Sequence, residues 1–202
     1  MKKTVLTMIM VLAALAGYAQ NAATAKSVLD KTAAVIGRKG GACANFTISS
    51  QKNGSTSGTI AIKGNKFHAR TPQAIVWYNG KTQWSYMKST NEVNISNPTE
   101  AQRMSMNPYQ FINMYKNGYT LAMKDMGANY QIHMTAQNKQ RSVQEMYILI
   151  NKKTYVPTQI KMRQGNDWST INVSNFKAQN QSDNTFVFRA KDFPTAEVID
   201  LR

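Results

Sequence analysis

Two histidines, one cysteine and ten carboxylates are the side chains with which this 202-residue chain could do acid–base, nucleophilic or metal chemistry. His68 alternates with Lys66 and Arg70, and His133 with Gln131 and Thr135, so both are expected on the wet faces of strands. No carboxylate close in sequence orients either imidazole, and neither an H-E-x-x-H pair nor an EF-hand loop occurs. Gly80-Lys81-Thr82 has the ending of a phosphate-binding loop, but the glycine required five residues earlier is Ile75. Asp125, Asp167, Asp183 and Asp192 fall among turn-forming residues, where Asp is ordinary, and no two carboxylates are paired as glycoside hydrolysis requires. The lone Cys43 forms neither an internal disulfide nor a cysteine metal cluster, and its neighbours Ala42 and Ala44 predict that it is buried. These residues exclude no reaction outright, but they point away from an enzyme and from any metal or cofactor. A protein that works by binding is the expectation.

Charge narrows what it binds. Lys and Arg number 25 against 10 Asp and Glu, a formal +15, which suits nucleic acid, anionic lipid or an acidic partner. Lys63, Lys66, Arg70, Lys161 and Arg163 take the outward phase of their strands, whereas Phe67, Trp77, Trp84 and Phe111 take the apolar phase. A nucleic-acid groove needs rings and base on one face, so nucleic acid is not expected. Steering toward an anionic lipid surface or an acidic protein fits better.

Residues 1–19 read as an export signal. Lys2 and Lys3 precede an apolar run from Val5 to Leu15, and Gly17-Tyr18-Ala19 places small residues where a signal peptidase reads. Cleavage after Ala19 would leave residues 20–202 as a single domain of 183 residues carrying +13. Gln20, not Cys, then follows the cleavage site, so no lipid anchor is expected. The predicted location is the periplasm, in soluble form.

The elements that must position the side chains come next. Val28, Leu29, Thr32, Val35 and Ile36 share one helical face, and Gly37, Gly40 and Gly41 end the helix. From Phe46 the apolar period falls to two, with Phe46 and Ile48, then Ile60 and Ile62, on one side of their strands. Asn79-Gly80 predicts a two-residue type I′ hairpin between Ala74–Tyr78 and Lys81–Lys88. Strands are further expected at Glu92–Ser96, Tyr119–Lys124, Tyr130–Ala136, Val143–Ile150, Thr158–Gln164, Ser169–Phe176 and Thr185–Arg189, with a short last one at Glu197–Leu201. Asn107–Asn117 predicts a second helix, with Asn107 as N-cap, Pro108 in the first position and Gly118 as stop. Roughly ten strands cannot stay flat. Either a curved sheet wraps the helices, or a filled barrel carries them outside. Of twelve methionines, Met104, Met106 and Met114 cluster at the second helix, and Met134 and Met162 take inward phases, which suits an adaptable pocket wall.

Three stretches resemble the bacterial outer-membrane lipoprotein carrier proteins (LolA-like carriers). They are Gly58–Phe67 followed by Trp77–Tyr86, then Asn91–Pro98 with Asn107–Phe111, and the ending Phe193–Arg202. The resemblance implies a mainly β (α+β) fold, an incomplete antiparallel β-barrel with a helical lid in its concave face. It further implies a monomeric carrier that takes lipoprotein acyl chains from an inner-membrane releasing transporter and moves them toward an outer-membrane acceptor. An envelope lipid-binding sensor or regulatory module of the same fold is the alternative. Cavity candidates on this reading are Ile60, Ile62, Phe67, Trp77, Trp84, Tyr86, Phe111, Met114, Tyr115, Met134 and Met162. The family latches its lid with an Arg; here the chain reads Lys63-Gly64-Asn65-Lys66-Phe67, so Lys66 and Arg70 are the latch candidates.

Overall fold

The computed structural model describes residues 21–52, 54–99 and 113–202. The expected export signal, Phe111 and most of the expected helix at Asn107–Asn117 lie outside those residues.

Helix α1 (21–36) buries Ala25, Val28, Leu29, Thr32, Ala33 and Ile36, a stripe at i, i+3 and i+4 spacing. Glycine 37 closes it, its N–H donating to the Ala33 carbonyl at 2.8 Å. Fully burying side chains such as Leu29 and Ile36 contributes about 1.5–3 kcal/mol each before conformational entropy is counted.

The twelve strands among the described residues belong to one sheet. In chain order they are β1 (Ala42–Ser50), β2 (Gly54–Lys63), β3 (Lys66–Arg70), β4 (Ala74–Tyr78), β5 (Gln83–Met87), β6 (Glu92–Ser96), β7 (Tyr119–Met126), β8 (Asn129–Ala136), β9 (Glu145–Asn151), β10 (Pro157–Gln164), β11 (Asp167–Lys177) and β12 (Glu197–Asp200). The spatial order is β12-β6-β5-β4-β3-β2-β1-β11-β10-β9-β8-β7. Two meanders, β1–β6 and β7–β11, are thus sewn together along β1 and β11, the nine- and eleven-residue strands at the centre. The end strands β12 and β7 do not pair with each other, so the curved sheet stays open as an incomplete barrel, with α1 packed on its concave face.

Several local expectations are corrected. The final strand runs parallel to β6, with Val198 opposite Val93, in a sheet otherwise antiparallel. Thr185–Arg189 is not a strand: 3-10 turns at Asp183–Phe186 and Ala190–Asp192 fold the segment so that Phe186, Phe188 and Phe193 reach the sheet. At the β4–β5 hairpin the positive φ belongs to Gly80 alone (102°), while Asn79 uses its side-chain oxygen to accept from the N–H groups of Lys81 and Thr82. That is not the type I′ turn, which needs positive φ at both central residues. Cys43 is half-buried, because alternation turns it to the face opposite Ala42 and Ala44; its thiol lies 3.5 Å from the Gln179 amide oxygen.

The exposed backbone of edge strand β7 is covered by Asn21 of α1. Its side-chain oxygen accepts from the Met123 N–H at 2.6 Å and its amide donates to the Met123 carbonyl at 3.0 Å.

Gly58 of β2 admits no side chain: a Cβ there would lie 2.1 Å from the Arg70 carbonyl oxygen and 2.8 Å from the Phe46 ring. Gly58→Ala is expected to lower stability by about 1–3 kcal/mol in urea unfolding, as strained insertions do. Ser57→Ala beside it, exposed in the native state, should change it by under about 0.5 kcal/mol.

Candidate functional site: an apolar cavity under the helix

Alternation sends Ala42, Ala44, Phe46 and Ile48 of β1 into the concave side, facing Ile60 and Ile62 of β2 across the ladder. The same phase continues through Phe67 and Ala69 of β3 and Val76 of β4 on one flank, and Ile171 and Val173 of β11 and Ile160 of β10 on the other. A bulge interrupts the β1–β11 register between Cys43 and Asn45, opposite Asn175, whose φ is 51°. The extra residue resets the phase, so Phe176 joins Val173 on the inner face.

Where α1 crosses this surface, the alanines of β1 and β3 leave room. The result is a cavity of about 250 Å³ bounded by Ile36 of α1, the inward side chains of β1–β4, β10 and β11, and Pro157. Cys43 and Asn45 border it, but their side chains have the opposite phase. Beneath the N-terminal half of α1 the packing is closed instead: Ala25, Val28 and Leu29 meet Met134, Met146, Ile148 and Met162 in a continuous core. One helix therefore packs on a core cluster at one end and borders a cavity at the other.

The expected site residues divide among three places. Ile60, Ile62 and Phe67 line the cavity. Met114, Tyr115, Met134 and Met162 are buried in the core cluster under α1 and do not line it. Trp77, Trp84 and Tyr86 must be reassigned, because they lie on the convex face. Trp77 stands directly opposite Trp84 on the face away from Val76 and Tyr78, and it packs edge-on against Phe188 and Phe193 at 5.5 and 5.6 Å. Tyr86 meets Phe193 at 4.7 Å. The rings do take an apolar phase, but in this part of the sheet the convex side also has a cover. Ile36, Ala44, Phe46, Ile48, Val76, Ile171 and Val173 are lining residues absent from the expected set, although extending the period-two phase of Ile60 and Ile62 across the ladder finds most of them. Phe176 is beyond that reach, since its phase depends on the bulge.

Lys66 and Arg70 do not hold the helix. Both share the convex phase with His68; Lys66 pairs with Asp183 at 3.0 Å and Arg70 borders a separate outer cavity. The polar contacts on α1 come from elsewhere. The Tyr115 hydroxyl donates to the Asp30 carboxylate, Lys26 pairs with Asp30 at 2.9 Å, and the Lys31 ammonium donates to the Tyr155 hydroxyl at 3.3 Å. Hydrogen bonds from Lys26 and Tyr115 hold the Asp30 carboxyl below its ordinary range.

The two histidines stand apart. His68 on β3 and His133 on β8 are separated in the sheet by β2, β1, β11, β10 and β9. His133 does find a carboxylate that its local sequence did not announce: its Nε2 lies 2.9 Å from Glu145, and its ring stacks on Tyr147 at 4.2 Å. Thr135 Oγ1 approaches the same Nε2 at 3.3 Å. A nucleophile–base–orienter relay uses the two ring nitrogens separately, and here both partners share one. Burial opposes ionisation of Glu145, yet hydrogen bonds from Tyr147, His133 and Arg163 outweigh it and hold the carboxyl low. No group of three metal-ligating side chains converges among the described residues.

An open sheet whose concave face holds a helix-roofed apolar cavity is a half-barrel suited to an apolar ligand. The sequence matches the outer membrane lipoprotein carrier protein LolA family over residues 15–166, and the chain belongs to that family. No curated protein matches it. Among solved structures, an uncharacterized conserved protein of Thermus thermophilus has the same fold at 15% identity and TM-score 0.59, with 88% of this chain and 99% of that one covered. A LolA superfamily protein of Nitrosomonas europaea aligns at 13% identity and TM-score 0.46, over 81% of this chain and 97% of the other. MucB of Pseudomonas aeruginosa, in complex with MucA, aligns at 10% identity and TM-score 0.47, over 83% and 62%.

Removing the Tyr115 hydroxyl as Tyr115→Phe is expected to speed hydrogen exchange in α1 several-fold at neutral pH. The effect on stability should stay below about 1 kcal/mol, since Asp30 is half exposed and screened. Because the folded pKa of Asp30 is depressed, its contribution is present above the ordinary value of 3.8 and is lost as pH falls through the lower folded value. The difference in melting temperature between wild type and Tyr115→Phe should therefore shrink on acidification.

Proposed function

We propose that the protein is an exported periplasmic carrier that holds the acyl chains of lipoproteins in the cavity under α1. It receives them from an inner-membrane releasing transporter, passes them toward the outer membrane, works as a monomer and performs no catalysis. The observation that carries this reading is the cavity itself, whose inward side chains are aliphatic and aromatic and whose roof is a helix. Membership of the carrier family supports it.

Size and energy set how loading works. At about 250 Å³ the cavity is smaller than the roughly 300–1,000 Å³ of ordinary small-molecule pockets, so a full acyl chain enters only if α1 shifts. Each methylene buried contributes about 0.8 kcal/mol, while each hydrogen bond on α1 contributes only about 0.5–1.5 kcal/mol net. Roughly two to four methylenes therefore offset the loss of the Tyr115–Asp30 and Lys31–Tyr155 contacts. The apolar cargo drives the opening.

Purified protein mixed with a triacylated lipoprotein should keep it soluble in detergent-free buffer, and failure to do so would remove the carrier reading. Val173→Asp, which sets a charge in the cavity wall, and Ala69→Phe, which fills the void without charge, should each lower the soluble complex at least tenfold. Trp84→Ala, on the opposite face, should leave loading within twofold of wild type.

A further inference from the structure

A second cavity, of about 340 Å³, opens on the convex face, far from the ligand space under α1. His68 and Trp77 lie together on β3 and β4, their rings stacked at 5.4 Å. Facing them is the segment 184–193, which contributes Asn184, Thr185, Arg189 and Phe193. That segment follows the stretch matched by the carrier family, which ends at residue 166. The cavity is separate from the apolar chamber under α1 and has a different chemistry.

Three observations say what it lacks. The Arg70 guanidinium borders the cavity and has no carboxylate partner among the described residues. The Nε2 of His68 is buried with no hydrogen-bond partner there, a state that native proteins rarely leave unfilled. The side chains of Asn184 and Thr185 are uncommitted as well: their backbone N–H groups bond to Ser182, but their amide and hydroxyl do not. Asp192, the single carboxylate among the described lining residues, is neutralised by Arg189 at 2.8 Å. Unused hydrogen-bonding groups thus converge on a pocket with a net positive lining and an aromatic wall. An acceptor-rich oxyanion is the missing partner, and donors arriving from both β3 and the 184–193 segment suit a tetrahedral group better than a planar one.

We propose that this outer cavity binds a phosphate group, carried either by a lipid headgroup or by a small soluble phosphate compound. The Arg70 guanidinium takes the phosphate oxygens, with the His68 imidazole and the Asn184 and Thr185 side chains completing the shell. Trp77 and Phe193 pack against whatever the phosphate is attached to. This site is independent of acyl-chain binding and stands or falls apart from it.

The test follows the His68 ring nitrogens by NMR during titration with inorganic phosphate, glycerol 3-phosphate and dihexanoyl phosphatidylglycerol below its micellar concentration, at constant ionic strength. A saturable shift of the His68 signals with any of the three supports the site. Saturation by inorganic phosphate identifies a free-phosphate site, and saturation only by the glycerol-linked compounds identifies a headgroup site. Arg70→Ala, an exposed position that leaves the core untouched, should weaken binding at least tenfold, and Lys161→Ala, elsewhere on the convex face, by less than twofold. The proposal is overturned if no probe gives saturable shifts, if sodium chloride produces the same shifts, or if Arg70→Ala binds as tightly as wild type.

Discussion

A sheet that curves without closing has a concave face that must be kept from water along its breadth, and among the described residues α1 is the helix packed there. Its stripe from Ala25 to Ile36 meets two different surfaces. Against β7–β11 it finds large flexible and branched side chains, Met134, Met146 and Ile148 among them, which pack into a core cluster. Against β1–β4 it finds Ala42, Ala44 and Ala69, whose short side chains leave the cavity. The same burial that stabilises the fold thus creates a place where an apolar ligand can replace protein contacts.

The helix is also unevenly tethered. Asn21 clasps the edge of β7, and Asp30 and Lys31 are held by Tyr115 and Tyr155, all toward its start and middle. Over the cavity the roof is apolar contact from Ala33 and Ile36. Apolar contact is non-directional and survives exchange for an acyl chain, whereas hydrogen bonds do not. The end of α1 over the cavity is thus held by apolar contact and its start and middle by hydrogen bonds.

A second consequence of the open sheet is that it buries opposite faces at its two ends. From β7 to β3 the apolar side chains point inward. At β4–β6, Ile75, Trp77, Trp84, Tyr86 and Val93 point outward, and Trp77 and Tyr86 meet Phe188 and Phe193. On β5 and β6 the inward positions become polar, with Gln83 donating to Ser85 at 3.0 Å, while Val76 and Tyr78 of β4 still face inward among apolar side chains. Lys63 and Lys66 secure the outer segment through Asp183, whose carboxyl their hydrogen bonds hold low. Part of the positive charge therefore does local structural work, and part of it, at Arg70, is left facing a cavity.

Period-two alternation is readable residue by residue, and with it the strands, their apolar phases and the amphipathic α1, because these depend on neighbours a few positions away. What the chain does not reveal alone is which side of the sheet each apolar phase faces. Trp77 and Val76 are adjacent and both apolar, and only the packing of a segment more than a hundred residues later assigns the ring to the outer layer and the valine to the cavity. The bulge at Asn175, the Tyr115–Asp30 contact and the His133–Glu145 pair likewise join residues whose separation in sequence carries no signal. Local sequence determines secondary structure and phase through short-range sterics, whereas inside, outside and cavity are properties of surfaces that exist only once distant strands have met.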